Sequence, residues 1–225
     1  MSVRNLEYLF RPASIAVIGA SDRAGSVGAT VIRNLAAGGF AGSVYPVNPA
    51  HLHVHGMRAY ADVASLPQTP DLAVIATPPA TVPGLIAALG TRGTRAAVVL
   101  TAGLSALRDA QGRTLVSAMI ENARPHLMRI LGPNTVGLLT PGLGINASFA
   151  HTAALPGNLA FVSQSGGMTT AVLDWAKSRG IGFSHFFGLN DIFRAAGNSI
   201  LTTGLTSADD HGLAPGGVIT LMLKG

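Results

Sequence analysis

The chain has 225 residues, of which 48% are hydrophobic and only 11% are charged, and its net charge is +5. This composition is typical of a folded α/β protein with a sizeable core, and it excludes an intrinsically disordered chain. Cysteine is absent, which excludes disulfides and thiolate metal sites and favours a reducing, cytoplasmic location.

Charge and hydropathy narrow the class of partner. The arginines are scattered and aromatic residues are few, so we expect no nucleic-acid surface, and the positive charge favours small anionic ligands. No apolar run reaches the roughly 18 residues of a membrane span. The stretch before Ile15 lacks the apolar core of a signal peptide.

The first elements predict a phosphate-binding turn. A short amphipathic helix over residues 4–11 precedes a buried strand, Ile15–Ile18, and Gly19, Gly25 and Gly28 then lead into a second helix. In such a turn, free N–H groups and the positive end of the helix dipole point at an anion, and the glycines let it approach closely. The alternative is an ordinary helix-packing turn, and the pattern favours a phosphate ligand over it.

The second predicted strand, Ser43–Val47, bears on the kind of nucleotide. NAD sites follow this strand with an acidic residue that binds the ribose, and their glycines are spaced G-x-G-x-x-G. Here the strand ends in Asn48-Pro49, and the glycine spacing is different. The sequence therefore disfavours a nicotinamide dinucleotide.

Three further apolar runs predict parallel strands that alternate with helices. The strands are Asp71–Thr77, Arg95–Thr101 and His126–Leu131, and the helices are Val82–Thr91 and Thr114–Ala123. Such a succession predicts a parallel sheet with right-handed crossovers, whose ligand lies outside the carboxyl ends of the strands. The turns that should converge on one crevice are Gly19–Ser21, Val47–Pro49, Thr77–Pro79 and Thr101–Gly103.

The rest of the chain predicts a second, smaller α/β unit. Residues Thr135–Pro156 are expected to form a loop, and the chain is divided into residues 1–140 and 141–225. A strand, a turn rich in serine and glycine, and a helix follow at Asn158–Val162, Ser163–Gly167 and Met168–Lys177. This turn either holds a second phosphate or simply caps the helix, and the sequence leaves both open. Strands are also predicted over Gly182–Leu189 and residues 217–224, and the open edge of the last one predicts a homo-oligomer.

Several short motifs, taken together, resemble a known family. In order along the chain they are IAVIGAS, GSVG, YPVNP, DLAVIATPP, AAVVLTAG, ILGPN, INASF and FVSQSG. This set resembles the CoA-binding part of the ADP-forming acyl-CoA synthetases, relatives of the succinyl-CoA synthetase alpha subunit. The stretches RNLAAGGF, ASLPQTPDLA and LDWAKSRGIGFSHF are similar to the synthetase-like N-terminal region of bacterial GNAT protein lysine acetyltransferases.

The resemblance implies a Rossmann-like CoA-binding domain, a partial flavodoxin-like second domain of the succinyl-CoA synthetase type, and CoA or acetyl-CoA as the ligand. It implies that the CoA phosphates contact Gly19, Ala20, Ser21, Gly25, Ser26, Val27 and Gly28. Asn48 and Pro49 would lie near the adenosine, and the pantetheine would pass Thr77, Pro78 and Pro79. The thiol would lie near Thr101, Ala102 and Gly103, with Asn134 beside the reaction centre. The phosphate of a phosphohistidine would face Ser163, Gln164, Ser165 and Gly166.

Departures from the family pattern limit the expected activity. Ala50-His51 stands where the family often has a lysine, and the phosphorylated histidine, the ATP-grasp part and a GNAT domain are missing. We therefore expect this chain alone to be inactive, with no catalytic residue, and ATP or ADP to enter only through a missing domain or partner, such as an ATP-grasp subunit. The alternatives are a domain that senses acyl-CoA for a GNAT partner and, less favoured, an NAD-binding oxidoreductase domain.

Isolated histidines and serines suggest other chemistry only weakly. His51, His53 and His55 alternate and could bind zinc or nickel, but an exposed polar strand face is favoured, so no metal is expected. Ser163 and Ser165 lack the G-x-S-x-G elbow, which argues against a hydrolase. His185 lies in a predicted strand and is expected to be packed rather than catalytic.

Overall fold

The computed structural model of the chain describes residues 4–189 and 220–223. This part contains two five-stranded sheets, a two-stranded hairpin and five α-helices. The helices are α1 (Leu6–Phe10), α2 (Val27–Gly38), α3 (Val82–Arg92), α4 (Leu115–Ala123) and α5 (Gly166–Ser178). The strands are β1 (Ser14–Ile18), β2 (Ser43–Val47), β3 (His53–Val54), β4 (Met57–Arg58), β5 (Leu72–Ile75), β6 (Ala96–Val99), β7 (Arg129–Leu131), β8 (Gly137–Thr140), β9 (Ile145–Ser148), β10 (Leu155–Ser163), β11 (Gly182–Gly188) and β12 (Thr220–Leu223).

The first sheet is parallel throughout and has the order β2-β1-β5-β6-β7. Counted along the chain, its strands run 2-1-3-4-5, a doubly wound order whose direction switches between β1 and β5. Ile15 and Val17 of β1 belong to the core under α1 and α2, whereas Ala16 and Ile18 belong to the core under α3 and α4. Both faces of the sheet are covered, so every residue of β1 is buried. The predicted parallel α/β sheet is confirmed.

The fifth strand of this sheet begins later than the sequence pattern indicates. Arg124–His126 forms a 3-10 turn, and Leu127 has a φ of +51°. Pro125 suits the start of such a turn and cannot donate a hydrogen bond to a strand ladder. The strand therefore begins at Arg129 rather than at His126.

The second sheet is mixed and has the order β12-β10-β11-β8-β9. Strands β10 and β11 are parallel, and the other pairs are antiparallel. The loop expected over Thr135–Pro156 is wrong, because this stretch contains β8 and β9. Its proline and glycine form only the short turn Pro141–Gly144 between these strands. Every residue of β8 and β9 is buried, so neither strand shows the alternation by which a half-buried strand is recognised.

The end of the chain is described only at β12. This strand lies within the one predicted over residues 217–224 and pairs with β10. The other residues of the predicted strand lie outside the described residues. Among the helices that the structure describes, none has the length and apolar character needed to cross a membrane.

The two sheets share one hydrophobic core through α2. Val31 and Leu35 of this helix belong to the same cluster of buried side chains as Leu138 and Phe187 of the second sheet. Asn34 Nδ2, on the same helix, donates to the carbonyl oxygens of two residues at the end of β9, Ser148 and Ala150, at 2.9 Å each.

Backbone contact completes this joint. A Cβ atom on Gly38 would overlap the carbonyl oxygen of Gly144, so the end of α2 lies directly against the β8–β9 turn. The ring of Phe10 packs edge-on against His185, with centroids 5.1 Å apart, so α1 also contacts the second sheet. His185 is therefore packed, as predicted. The chain changes sheet between β7 and β8, and the division at residue 140 stays a prediction.

Candidate functional site

The turn between β1 and α2 presents unpaired N–H groups. Ser26 caps the helix: its Oγ accepts the N–H of Ala29 at 3.2 Å and donates to the carbonyl oxygen of Arg23 at 2.8 Å. The N–H groups of Val27 and Gly28, the first two of α2, have no acceptor among the described residues. Two free donors at the positive end of a helix form a site for an anion.

The glycines of this turn are required, or allow close approach, for different structural reasons. A Cβ on Gly28 would overlap the carbonyl oxygen of Gly19, so Gly28 allows α2 to pack against the end of β1. A Cβ on Gly19 would lie 2.5 Å from the carbonyl oxygen of Ala76, and its φ is +89°. Gly25 has a φ of +77° with nothing within 4 Å of its missing Cβ. Open space that a ligand could fill therefore lies at Gly25, whereas Gly28 offers only its N–H.

The turn after β2 is tied to the turn after β1. Asn48 Nδ2 donates to the carbonyl oxygen of Ala20 at 2.7 Å, and its Oδ1 accepts the N–H of Ala50 at 2.8 Å. Asp22 Oδ1 accepts the N–H of His55 at 2.9 Å and so holds the β3–β4 hairpin against the same turn. The amide of Asn48, which the resemblance puts near the adenosine, thus also orders the turn between β1 and α2.

The predicted convergence of the strand ends is confirmed by hydrogen bonds between the turns. Thr101 Oγ1 donates to the carbonyl oxygen of Thr77 at 2.8 Å, and the N–H of Asn134 donates to the carbonyl oxygen of Thr101 at 3.0 Å. Pro79 begins a 3-10 turn that runs into α3. Three of the remaining candidates, Pro78, Ala102 and Gly103, are exposed along this edge.

The second candidate turn lies at the start of α5. Ser165 caps this helix, since its Oγ accepts the N–H of Met168 at 3.3 Å, and its own N–H donates to Ser163 Oγ at 3.1 Å. Gln164 Nε2 is buried and has no hydrogen-bond partner among the described residues. The helix is therefore capped, as one alternative expected, and a buried donor without a partner among the described residues lies beside the cap. The phosphate-binding alternative stays a prediction.

Two hydrogen bonds connect this turn, through β11, with the segment that joins the two sheets. The N–H of Leu189 donates to the carbonyl oxygen of Ser163 at 2.8 Å. Thr135 Oγ1 donates to the carbonyl oxygen of Gly188 at 2.6 Å, and Thr135 directly follows Asn134. The candidate site is therefore continuous from Gly25 to Ser165. Sequence reasoning missed Thr135, although its place directly after the ILGPN motif is a signal that could have found it.

A cluster of three charged side chains, Asp109, Arg113 and Glu121, holds the loop that follows Gly103. Asp109 accepts hydrogen bonds from the backbone N–H groups of Gln111 and Arg113, at 3.0 and 2.9 Å, and from Arg113 Nε at 2.9 Å. Arg113 also pairs with Glu121 of α4. Partial desolvation raises the pKa of Asp109, but the hydrogen bonds from Arg113 outweigh it, and the pKa lies below its usual value. The same contacts raise the pKa of Arg113.

The histidines that alternate after β2 do not form a metal site. His51, His53 and His55 are exposed. No group of three or more metal-ligating side chains occurs within residues 4–189 or 220–223.

Comparison with known proteins finds two families along the chain. Residues 13–141 match the CoA binding domain family, and residues 156–202 match the succinyl-CoA ligase like flavodoxin domain. Acetate–CoA ligase (ADP-forming) I of Archaeoglobus fulgidus is 37% identical over 83% of this chain and 27% of its own length. The alpha subunit of acetate–CoA ligase (ADP-forming) I of Pyrococcus furiosus is 36% identical over 80% of this chain and 40% of its own length.

A solved structure agrees with the fold. The dinucleotide forming acetyl-coenzyme A synthetase 1 of Ca. Korarchaeum cryptofilum, in complex with phosphate and ADP, is 34% identical to this chain. It matches 94% of this chain and 46% of its own chain, with a TM-score of 0.79. The chain thus spans less than half the length of these relatives. The two families matched in succession along this chain, together with this structural likeness, confirm the predicted fold class.

Proposed function

Because this chain belongs to the CoA binding domain family, we propose that it holds the CoA of an acyl-CoA at the joined strand ends of its first sheet. It corresponds to the CoA-binding portion of the ADP-forming acyl-CoA synthetases. The observation that carries this proposal is the continuous line of hydrogen-bonded turns from the end of β1 to Asn134.

The geometry of these turns supports the ligand position that we propose. The CoA phosphates contact the free N–H groups of Val27 and Gly28 and the open space at Gly25. The pantetheine then runs past Thr77 and Pro79 toward the turn at Thr101, where the thiol end lies. The positive net charge of the chain favours this anionic ligand.

The second turn supports a role in phosphate chemistry. We propose that the capped start of α5, with the unpaired Gln164 amide, binds a phosphate group beside the thiol end. There, phosphate oxygen would bond to the acyl carbon while the carbon–sulfur bond breaks and CoA leaves as its thiolate. Transfer of the phosphoryl group to ADP is assigned to an ATP-grasp part or partner subunit, and two of the relatives are named as alpha subunits.

The alternatives are less well supported. The matched families and relatives are CoA-binding proteins and CoA ligases, which gives the acetyltransferase alternative no support. An NAD site needs an acid at the end of β2. That position holds Asn48, whose side chain is occupied by Ala20 and Ala50.

A calorimetric titration of the 225-residue chain with CoA, acetyl-CoA, NAD and ADP tests the proposal. We expect CoA and acetyl-CoA to bind and NAD not to bind. Gly25→Val should raise the dissociation constant of CoA about tenfold or more, which equals roughly 1.4 kcal/mol, because its side chain enters the ligand space.

Gly39→Val is the matched control for this titration. Gly39 lies at the other end of α2, and it has nearly the same φ, +74°, and the same open surroundings as Gly25. Both variants carry the same backbone strain, so equal CoA affinities in the two would argue against a ligand at Gly25. Binding of NAD in place of CoA would refute the proposal.

A further inference from the structure

Thr135 lies where the two halves of the proposed site meet. Its side chain is buried, with 1% exposure, and it directly follows Asn134. Its hydroxyl donates to the carbonyl oxygen of Gly188 at 2.6 Å and accepts the N–H of Gly137 at 3.1 Å. The hydroxyl is thus engaged as donor and as acceptor inside the protein.

The Thr135–Gly188 hydrogen bond forms a bridge, and the residue next to each partner bonds to one of the turns that we propose as ligand sites. On one side, the N–H of Asn134 donates to the carbonyl oxygen of Thr101, at the thiol end. On the other side, Leu189 follows Gly188, and its N–H donates to the carbonyl oxygen of Ser163. A change at the hydroxyl therefore moves one turn relative to the other.

We propose that Thr135 is a positioning residue that sets the separation between the thiol end of CoA and the phosphate turn of α5. This inference rests on the proposed function. Attack of phosphate on a thioester needs the reacting atoms about 3–3.5 Å apart. A buried hydrogen bond between the segment that joins the two sheets and the end of β11 holds such a separation with little freedom, because both partners lack water as an alternative.

The test measures how inorganic phosphate changes the affinity of the 225-residue chain for CoA. In the wild type we expect saturating phosphate to change the CoA dissociation constant about fivefold, at the lower end of usual coupling between sites. Thr135→Val keeps the shape and removes the hydroxyl, so the effect of phosphate on the CoA dissociation constant should fall below about twofold while the variant still binds CoA. Thr135→Ser keeps the hydroxyl and should retain the coupling.

Two control variants separate positioning from simple structural support. Asn34→Ala removes another link between the sheets, through Ser148 and Ala150, that contacts neither turn. It should lower the melting temperature and leave the coupling intact. Thr140→Val removes a buried hydroxyl that has no partner among the described residues. It should therefore change neither the melting temperature nor the coupling between phosphate and CoA.

The outcomes distinguish this inference from the proposed function. Coupling retained in Thr135→Val overturns the positioning role, and so does a wild type that binds CoA without any influence of phosphate; the CoA-binding function survives both. A wild type that binds no CoA overturns the proposed function and this inference with it.

Hydrogen exchange in the wild type decides the matter if Thr135→Val does not fold. CoA alone should slow exchange of the Gly137 and Leu189 amides about fivefold through the Thr135 bridge. The Ala150 amide, which bonds to Ser148 Oγ away from both turns, should not change. Equal rates with and without CoA at Gly137 and Leu189 would overturn the positioning role.

Discussion

At the scale of single residues, similar side chains in this site do different things. Gly25 and Gly28 stand three positions apart, yet one faces open space and the other is pressed against the end of β1. Asn48 and Gln164 both carry amides, yet one has two partners and the other has a buried nitrogen with none. Substitutions should separate these roles.

Gly28→Ala should destabilise the fold whether or not a ligand is present. The added methyl group would overlap the carbonyl oxygen of Gly19, and relief requires α2 to move from the sheet. We expect a loss of about 1–3 kcal/mol in the free energy of unfolding, as for other overpacked sites. Urea titration measures it, with Gly84→Ala, which faces open space in α3, as the control. Equal stability of the two variants would contradict the packing role.

Gln164→Met should separate ligand binding from stability. The buried Nε2 has no partner among the described residues, so replacing the amide with an apolar side chain of similar length should leave the stability unchanged or raise it slightly. Phosphate affinity should nevertheless fall about tenfold or more, since a hydrogen bond to a charged group contributes roughly 1.5–3 kcal/mol. Thermal unfolding and phosphate titration measure the two effects. A large loss of stability would indicate that Gln164 has a structural partner instead.

At the scale of elements, the sequence predicted the first sheet well because its signals are local. Runs such as LAVI and AAVV are wholly apolar, and a glycine-rich or proline-containing turn follows each. The stretch with β8 and β9 is predicted as a loop because Pro141, Gly142 and Gly144 resemble loop residues when they are read one by one. Strand β9 packs against α2, and β8 pairs with β11. Such long-range contacts support the hairpin but leave no local pattern in the sequence.

The same distinction holds for the candidate site. Its turns could be predicted, since they follow from strand polarity and small residues. The bridge at Thr135 could not, because Gly188 lies 53 residues away along the chain. The different roles of Gly25 and Gly28 could not be predicted either, since the sequence shows only that both are glycine.

The loop after Gly103 should lose its order in acid. Because the folded pKa of Asp109 lies below its usual value, the carboxylate stabilises the fold above about pH 4, near the unfolded pKa. This contribution is lost as the pH falls through the folded pKa. Wild type should therefore be more stable than Asp109→Asn at pH 7, and the difference should shrink as the pH falls below about 4.

Urea titrations from pH 7 to pH 3 measure this difference. Glu7→Gln, on the exposed side of α1, controls for the loss of one negative charge. A difference that stays constant over the whole range would show that the Asp109–Arg113 contact does not order the loop.

At the scale of the whole molecule, two sheets with different topologies are packed as one body. The first is wholly parallel and the second is mixed, yet one cluster of buried side chains includes β1, α2, β8 and β11. Two family matches divide the chain, whereas this cluster spans both parts. We therefore expect the stability of the two parts to be coupled through this shared cluster.

Unfolding should therefore be a single cooperative transition. Trp175 is the one tryptophan of the sequence and lies on α5, so its fluorescence reports on the second sheet, while far-UV circular dichroism reports on the whole chain. We expect the two signals to give the same urea midpoint. Midpoints that differ clearly would mean that the two halves unfold independently, and Asn34→Ala should then have no effect on the first half.

The contact between Gly38 and Gly144 has a consequence for how such proteins can vary. Where side chains fill an interface, substitutions on one surface can be compensated on the other. The distance between the two surfaces can therefore change during evolution. Here the main chain of one residue contacts the main chain of the other. Neither residue has a side chain whose size could change to compensate for a substitution in the other. The spacing at this joint is set by peptide geometry rather than by residue choice. A chimera that takes each half from a different relative should therefore keep the same spacing at this joint, provided that both glycines are retained.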